Sequence, residues 1–338
     1  MLKFFRINLF YFVIFLLGCS QEEEGKKYFI GFSQCTGGDA WRRAMHEEMQ
    51  RELSFNPELA LEIKDAKNSS ALQIEHIKEF IAQGIDLLIV SPNESDPITP
   101  IIEIAFERGI PVIVVDRRTN SALYTAYVGA NNYEIGKLAG EYIGKLLNGH
   151  GKIFEIKGLD GSSPAVDRHK GFLEGLSVYE GVQIVGGIQG EWEKDVVKNN
   201  IAKSSIANNQ DNVDLIFAHN DVMALAAYQY LKGKGSSEEL RFVGIDGLGG
   251  PYGGIQFVED GILDATFLYP TGGEEVIRLA HKILRKEPYE KENILNSTVI
   301  DERNVHIMKQ QSNKIINQHK DIESKQLKIA EQIKIYRS

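Results

Sequence analysis

The sequence predicts an α/β protein with two Rossmann-like lobes, each a parallel sheet flanked by helices. The first observation is size: the chain has 338 residues, 43% of them hydrophobic, which exceeds one typical domain and can bury sizeable cores. The second is that short apolar runs alternate with longer amphipathic segments, the pattern of repeated βα units and of parallel sheets covered on both faces. The third is the segment 84–117, where this alternation is clearest.

That segment contains a complete strand–helix–strand unit. An apolar run at Ile85–Val90 is followed by a polar turn and an amphipathic helix at Ile98–Arg108. A glycine ends the helix, and a second strand at Val112–Val115 stops abruptly at Asp116 and Arg117. Ligands of open parallel sheets bind beyond the carboxyl ends of the strands. A carboxylate beside a guanidinium at that position suits a polyhydroxylated ligand.

The preceding part of the chain completes the first lobe. A helix cap at Asn68 or Ser69 and a stop at Gly84 bound one of its helices, because short polar residues cap helix starts and glycine ends helices. From apolar periodicity we predict strands at Tyr28–Phe32 and Leu61–Ile63 and helices at Ala40–Leu53 and Ser70–Gln83.

After a strand at Tyr124–Val128 the alternation begins again, which predicts a second lobe. The predicted helices of this part are Tyr133–Leu147, Ala165–Leu176, Val196–Ala207 and Val222–Leu231. The predicted strands are Lys152–Ile156, Val182–Val185, Leu215–Ala218 and Phe242–Ile245. No Pro- or Gly-rich linker separates the halves. Lobes joined by several short crossings, as in a hinged cleft, fit this pattern.

The N-terminus has the features of an export signal. Positively charged residues precede an apolar run at Leu9–Leu17 that is too short to span a bilayer. The sequence Leu16–Cys19 resembles a bacterial lipobox, so we predict a signal peptide at 1–19, lipidation of Cys19 and a tether at 20–26. The alternative is an ordinary signal peptide with an incidental cysteine. Either reading predicts export, and the lipobox predicts a periplasmic protein anchored to a bacterial membrane.

Charge and missing motifs narrow the function. The formal net charge is −9, without a basic face, so nucleic acid is not an expected partner. A DNA-bound regulator is also excluded because an export signal stands where its helix-turn-helix would be. The chain lacks HExxH, CxxC, P-loop, GxGxxG and GxSxG motifs, and we expect no cofactor or metal. His169 and His219 are isolated in sequence, and we expect structural or surface roles for them.

Polar and aromatic residues remain at the predicted βα turns. A sugar ring has an apolar face that indole rings cover and a rim of hydroxyls that Asp, Asn and Arg bind. Asp116 and Asp246 are alternatively helix N-caps, or the carboxylate pair of a glycosidase. The candidate positions are Trp41, Arg42, Asp116, Arg117, Trp192, Asn220 and Asp246.

Six stretches together carry a resemblance to the type I periplasmic sugar-binding proteins, the ribose- and galactose-type family related to LacI-like ligand domains. They cover most of the range from Tyr28 to Val305 and are GIDLLIVSPNESD, GIPVIVVDRR, VGANNYEIGKLAGEYI, DRHKGF, IFAHNDVMALAA and FVGIDG. The resemblance implies two lobes joined by three crossings, closing on a monosaccharide. The implied lobes are 27–130 with 270–295, and 131–269 with 296–308.

The resemblance also implies residue roles. Asp116 and Arg117 would bind hydroxyls from the first lobe, and Asn220 and Asp246 from the second. Asn132 would lie at the first hinge crossing. The remaining implied contacts are the stacking residues Trp41 and Trp192 and the polar residues Asp39, Arg42 and Tyr269.

Two departures bear on the ligand and the partner. Val166 stands where ribose binders of the family carry an arginine. Ser162–Pro164 is the alternative for that part of the wall of the binding site. Ribose is therefore not favoured over a hexose or a ketose such as fructose. The polar tail, 309–338, repeats isoleucine every seven residues. It is either a solvated tail or a signalling helix resembling the membrane-proximal segment of monosaccharide-sensing hybrid two-component kinases. The expected membrane partner is therefore a sensor kinase module or an ABC permease.

Overall fold

The computed structural model describes residues 27–207 and 212–317. The predicted signal peptide, lipidation site, tether and most of the tail lie outside these residues. Within the described ranges, no helix combines the length and the apolar character that crossing a membrane requires.

The elements alternate along the chain. The first part contains β1 (Tyr28–Gln34), α1 (Ala40–Leu53), β2 (Leu59–Asp65), α2 (Ser70–Gln83), β3 (Leu87–Ser91), α3 (Ser95–Glu107), β4 (Val112–Val115) and β5 (Ala126–Ala130). The second part contains α4 (Asn132–Leu146), β6 (His150–Lys157), α5 (Ser163–Leu176), β7 (Gly181–Gln189), α6 (Lys194–Lys203), β8 (Leu215–Ala218), α7 (Asp221–Gly233) and β9 (Arg241–Asp246). The last part contains α8 (Gly254–Glu259), β10 (Ala265–Leu268), α9 (Gly273–Leu284), β11 (Glu292–Leu295), β12 (Val299–Asp301) and α10 (305–317).

The strands form two sheets of six strands each. Their orders are β11-β5-β4-β3-β1-β2 and β12-β10-β9-β8-β6-β7. Neighbouring strands run parallel, apart from the antiparallel pair β10 and β12. The central strands are apolar on both faces, as sheets covered by helices on both sides require. The predicted fold class is confirmed.

Three passages of the chain connect the two sheets within the described residues. They lie between β5 and β6, between β10 and β11, and between β11 and β12. The short strands β11 and β12 therefore belong to different sheets although only three residues separate them. Adjacent crossings of this kind allow two rigid lobes to rotate about a common hinge.

Helix boundaries follow local chemistry. Ser69 rather than Asn68 caps α2, since its side chain accepts from the Leu72 N–H, and Gly84 ends the helix in the left-handed conformation. The helix α3 begins at Ser95, earlier than predicted. Pro97 lies in its first turn, where proline is tolerated, and Pro100 lies inside the helix. The predicted helix Val196–Ala207 is instead α6 followed by a short 3₁₀ turn.

Glycines allow α4 and α5 to approach closely. A Cβ on Gly140 would lie 2.5 Å from the Phe172 carbonyl oxygen, and one on Gly136 would lie 2.1 Å from that of Arg168. Gly171 and Gly175 face α4 in the same way. Small residues four positions apart on both helices therefore place the two backbones in contact.

Candidate functional site

A cavity lies between the two sheets, at the carboxyl ends of their strands. It encloses about 640 Å³ of empty space, part of it open to solvent. This is where parallel sheets bind ligands. Its lining includes all nine predicted contacts, namely Asp39, Trp41, Arg42, Asp116, Arg117, Trp192, Asn220, Asp246 and Tyr269.

Asp116 is the centre of the first-lobe wall. Its Oδ1 accepts the Tyr269 hydroxyl at 2.7 Å. Its Oδ2 accepts the Ser91 hydroxyl at 3.0 Å and forms an ion pair with Arg42. Burial by itself raises the pKa of Asp116, but the charges of Arg42 and Arg117 outweigh it and hold that pKa below its usual value. The carboxylate is therefore a fixed anion.

Arg42 is buried behind this carboxylate. Desolvation by itself lowers the pKa of Arg42, but the Asp116 charge outweighs it and raises that pKa above its ordinary value. One guanidinium nitrogen, Nη2, contacts Asp116 and the Cys35 sulfur. The other, Nη1, is buried without a hydrogen-bonding partner among the described residues. An unmatched donor of this kind is costly unless a ligand satisfies it.

Trp41 is fixed by the hinge region. Its ring stacks on Tyr269 with centroids 5.3 Å apart, and its indole N–H donates to the Tyr269 carbonyl oxygen at 2.8 Å. Nearby, Asp39 caps α1 by accepting from the Arg42 N–H at 2.7 Å. These contacts fix the orientation of the turn that follows β1.

The second-lobe wall carries three acidic or amide residues. Asn220 caps α7 through its side-chain oxygen, which accepts from the Met223 N–H at 2.8 Å. Asp221 accepts from the Thr266 hydroxyl at 2.7 Å and from the Gly247 N–H at 2.8 Å. Neither Asp116 nor Asp246 caps a described helix, so that alternative is wrong. No helix lies between β4 and β5, and Gly253 stands at the N-cap of α8, the helix that follows Asp246.

The two acids of this wall resist ionisation. Burial raises the pKa of Asp221 to about 6. Burial, together with the nearby Asp221 charge, raises the pKa of Asp246 well above its ordinary value. The cavity thus places a fixed anion on one wall and more readily protonated carboxyl groups on the other.

Two guanidinium groups lie close to Trp192. Arg117 and Arg168 lie 5.8 and 5.5 Å from the centroid of its ring, within the range of cation–π attraction. The edge of the indole packs on Gly158, where a Cβ would clash with it. The Trp192 N–H is buried and has no hydrogen-bonding partner in the part of the chain that the structure describes.

Three lining residues have unusual backbone conformations. Asp116, Trp192 and Asp246 have φ angles of 63°, 68° and 138°. Positive φ is rare for bulky side chains, and such strain concentrates at functional sites where the surrounding structure holds it. The shape of the cavity is therefore set by the fold.

Asn132 occupies the first crossing and connects it to the cavity. Its side chain accepts from Arg168 Nε at 2.8 Å and donates to the Tyr269 hydroxyl at 3.3 Å. It is not part of the cavity lining. Its bonds join the first crossing (Asn132), α5 (Arg168) and the segment after β10 (Tyr269).

Sequence reasoning missed several lining residues. Arg168, on α5, donates to the His219 carbonyl oxygen and lies 4.5 Å from the Tyr269 ring. Of the alternative wall Ser162–Pro164, the proline lines the cavity, whereas the Ser163 hydroxyl accepts from the Arg118 N–H. The position of Asp221, directly after Asn220 at a predicted turn, was a usable signal for it. The remaining missed residues are Ala40, Val222, Leu248, Tyr252, Gly253 and Gly254.

His169 and His219, which are isolated in sequence, meet at one carboxylate in the fold. Both contact the same oxygen of buried Glu155, at 2.9 and 3.0 Å. The cause is the pairing of β6 with β8, which brings His219 beside Glu155. Burial lowers the pKa of His219, so it is a satisfied structural histidine. Among the described residues, no group of three or more His, Cys, Asp or Glu side chains is arranged to hold a metal ion.

Two parallel-sheet lobes around a polar cleft define a protein of the periplasmic binding type. The chain matches the periplasmic binding protein domain over residues 30–288 and belongs to that family. The family resemblance carried by the sequence motifs is confirmed.

Individual relatives extend this result. The chain is 31% identical to the galactofuranose-binding protein YtfQ of Escherichia coli over 212 residues, 61% of this chain and 66% of that protein. It is 28% identical to the ribose import binding protein RbsB of Escherichia coli, over 67% of this chain and 75% of that protein. Among solved structures, the fructose-binding periplasmic domain of the hybrid two-component system BT1754 has 42% identity and a TM-score of 0.85. That match covers 88% of this chain and 98% of the solved one.

Proposed function

We propose that this protein is exported and binds one monosaccharide reversibly in the cavity, as the sugar-recognising part of a membrane sensor. The observation that carries the proposal is the composition of the cavity wall. Both lobes supply hydrogen-bonding groups to it, and two buried donors, on Arg42 and Trp192, lack protein partners among the described residues.

A sugar satisfies such a wall better than other small ligands. Each hydroxyl both donates and accepts, so it pairs with carboxylates and with Arg or Trp donors alike. The cavity carries four acids (Asp39, Asp116, Asp221, Asp246) and three arginines (Arg42, Arg117, Arg168). This near balance, together with the aromatic rings, favours a neutral polyhydroxylated ring over an ion.

D-Fructose is the first candidate. The sensor domain that shares 42% identity and covers most of this chain is described as fructose-binding. Ribose and galactofuranose, which relatives with 28% and 31% identity bind according to their names, are the next candidates. Val166 stands where the family's ribose binders carry an arginine, so this chain lacks one of the contacts by which those proteins hold ribose.

The mechanism is closure of two lobes around the sugar. We assign 27–130 with 270–295 to one lobe and 131–269 with 296–308 to the other. The structure has direct bonds across the cleft, from Ser95 N–H to the Gly161 carbonyl oxygen at 3.1 Å and from Arg118 N–H to the Ser163 hydroxyl at 2.7 Å. Opening breaks these bonds, and a bound sugar adds further bridges that favour the closed state. Micromolar affinity supplies about 8 kcal/mol, enough to shift a two-state equilibrium strongly.

Sensing is favoured over transport by the two-component relative. A lipid on Cys19 would hold the protein at the membrane, where a kinase module responds to the closed form. Family membership supports a periplasmic location. The second candidate, a substrate-binding lipoprotein of an ABC transporter, is favoured by RbsB, whose name describes ribose import.

A glycosidase using Asp116 and Asp246 is disfavoured by geometry. A nucleophilic carboxylate uses a lone pair of one oxygen to attack the anomeric carbon, and hydrogen bonds from the protein weaken it as a nucleophile. Both oxygens of Asp116 accept hydrogen bonds from protein groups. Binding therefore leaves the sugar chemically unchanged.

Calorimetric titration of the purified chain with D-fructose, D-ribose and D-galactose tests the proposal. We expect saturable binding of one sugar with a stoichiometry of one, and recovery of that sugar unchanged after denaturation. No heat of binding with any of a broader panel of pentoses, hexoses and ketoses would overturn it, and so would recovery of a converted product.

A further inference from the structure

The segment between β9 and α8, residues 247–253, contacts the cavity on one side and α10 on the other. We call it the glycine-rich loop. Leu248, Tyr252 and Gly253 line the sugar cavity. Gly249, Gly250 and Pro251 line a second pocket with about 490 Å³ of empty space, part of it open to solvent, and its opposite wall is α10. One short loop thus separates the proposed ligand from the last described helix.

The contact between this loop and α10 is very close. A Cβ placed on Gly249 would lie 1.7 Å from the Ser312 hydroxyl oxygen and 2.9 Å from the Ser312 Cβ. Ile316, one turn further along the helix, lies 3.8 Å from the same point. A methyl group at position 249 therefore forces the Ser312 hydroxyl to rotate away, and its 2.9 Å contact with the Ser312 Cβ requires a small shift of α10 or of the loop.

The beginning of α10 is held on the second lobe. Val305 is buried, and Met308 packs against the core of that lobe. Lys309 forms an ion pair with Glu259 of α8, and His306 Nδ1 lies 3.6 Å from the same carboxylate. With its first turn fixed, α10 responds to movement of the loop mainly at the turn that carries Ser312.

Hydrogen bonds tie the glycine-rich loop into one unit. The Ile255 N–H bonds to the Leu248 carbonyl oxygen at 3.2 Å, which closes the loop on itself. At its start, the Gly247 N–H donates to Asp221, a residue of the cavity wall. Gly247 and Gly250 have φ angles of 60° and 84°, which glycine adopts freely. Because the loop is closed on itself and bonded to the cavity wall, a displacement on one of its faces can reach the other.

We propose that occupation of the cavity and docking of α10 on the glycine-rich loop are coupled. This inference rests on the proposed function, since it takes the sugar as the ligand. Sugar held against Leu248 and Tyr252 fixes the loop, and the fixed loop presents Gly249 to Ser312. Coupling is reciprocal, so α10 docking strengthens sugar binding by the same factor by which sugar strengthens docking.

The test combines two measurements on the full chain, with D-fructose as the probe. Calorimetry reports sugar affinity, and hydrogen–deuterium exchange of peptides covering 305–317 reports docking of α10. For the unmodified protein we expect fructose to slow exchange in these peptides about fivefold or more, the lower end of typical coupling.

Three variants make the test specific. Gly249→Ala is expected to weaken fructose binding and to abolish the fructose-dependent change in exchange. Adding Ser312→Gly removes the side chain that the new methyl meets, and we expect the double variant to regain both. Gly233→Ala is the matched control, because a Cβ there meets no atom within 4 Å, and we expect it to behave like the unmodified protein.

The outcomes separate the coupling from the proposed function. If fructose binds and exchange in 305–317 is unchanged, the coupling is wrong and the binding function stands. A Gly249→Ala protein with unaltered affinity and an unaltered exchange response also overturns the coupling. If fructose does not bind the unmodified chain, the proposed ligand is wrong, and the coupling as stated falls with it.

Discussion

Tyr269 donates its hydroxyl to Asp116 Oδ1 at 2.7 Å and thereby connects the segment after β10 to the carboxyl end of β4. The same hydroxyl accepts from Asn132 at the first crossing. Two of the three passages between the sheets are thus joined through one phenol group beside the cavity. Hinge geometry and ligand contacts share this hydrogen-bond network.

Tyr269→Phe tests that network. The change leaves a buried carboxylate oxygen and a buried amide without their partner, so we expect a loss of about 1–3 kcal/mol in the free energy of unfolding. Urea denaturation followed by circular dichroism measures it. Tyr252→Phe is the control, because that side chain is 83% exposed; equal stability losses in the two variants would contradict the prediction.

Asp246→Ala removes a hydrogen-bonding group from the second-lobe wall. We expect the affinity for the bound sugar to fall roughly 10- to 100-fold, because a buried sugar hydroxyl is left without its partner, with an unchanged far-ultraviolet circular dichroism spectrum. Asp260→Ala, at an exposed position outside the cavity lining, should bind normally. Wild-type affinity in Asp246→Ala would place Asp246 outside the binding site.

The raised pKa values of Asp221 and Asp246 predict a pH dependence of stability. An acid with a raised pKa in the folded state stabilises the fold below its ordinary pKa, and this contribution is lost as pH rises through the folded value. For Asp221, the rise from 3.8 to about 6 corresponds to roughly 3 kcal/mol. Asp246 adds a loss of the same sign that begins above pH 3.8.

Asp246→Asn isolates the second contribution. Because asparagine does not titrate, we expect the variant to lose less stability than the unmodified protein between pH 4 and pH 7. Urea unfolding at several pH values across this range gives the comparison. Parallel stability curves for the two proteins would show that Asp246 has an ordinary pKa.

Arg168→Lys tests a residue that sequence reasoning did not assign. The guanidinium bonds to Asn132 and to the His219 carbonyl oxygen while covering the Tyr269 ring. An ammonium group lacks the planar fork that makes these contacts together, so we expect sugar affinity to fall about 10-fold or more. Arg278→Lys, at a half-exposed position on α9, is the control, and a similar effect in both would refute a specific role for Arg168.

Gly140→Ala tests the contact between α4 and α5. The new methyl group would meet the Phe172 carbonyl oxygen at 2.5 Å, and overpacking of this kind costs about 1–3 kcal/mol. We expect a lower melting temperature, measured by calorimetry. In Gly233→Ala, where the methyl has open space, stability should be unchanged or higher because alanine favours helix.

The sequence allowed prediction of those site residues that stand directly after a strand. Asp116 and Asn220 follow apolar runs whose length and composition mark β4 and β8, and the edge of a parallel sheet brings such turns together. The resemblance to the family added Asp39 and Tyr269, which no periodicity indicates. The role of Asn132 in joining the crossings is visible only in the folded chain.

Residues that reach the site by tertiary placement escaped prediction. Arg168 lies in the second turn of α5, and its helical position resembles that of any polar residue until α5 is placed against the hinge. Tyr252 lies in a loop without period, followed by a helix of six residues that is too short to give an amphipathic signal. Glu155 meets His219 only because β6 and β8 become neighbours, and His169 reaches the same carboxylate from α5.

The left-handed backbone at Glu191 and Trp192 has a consequence for engineering. Both φ angles, 52° and 68°, suit glycine better than the residues present. The fold therefore loses some stability at the turn that positions the Trp192 side chain. Glu191→Gly would relieve the backbone strain of this turn, and it would also allow the Trp192 indole to change its position. Selection for heat tolerance alone would therefore erode the selectivity of the pocket, and a robust biosensor derived from this scaffold should leave that turn untouched.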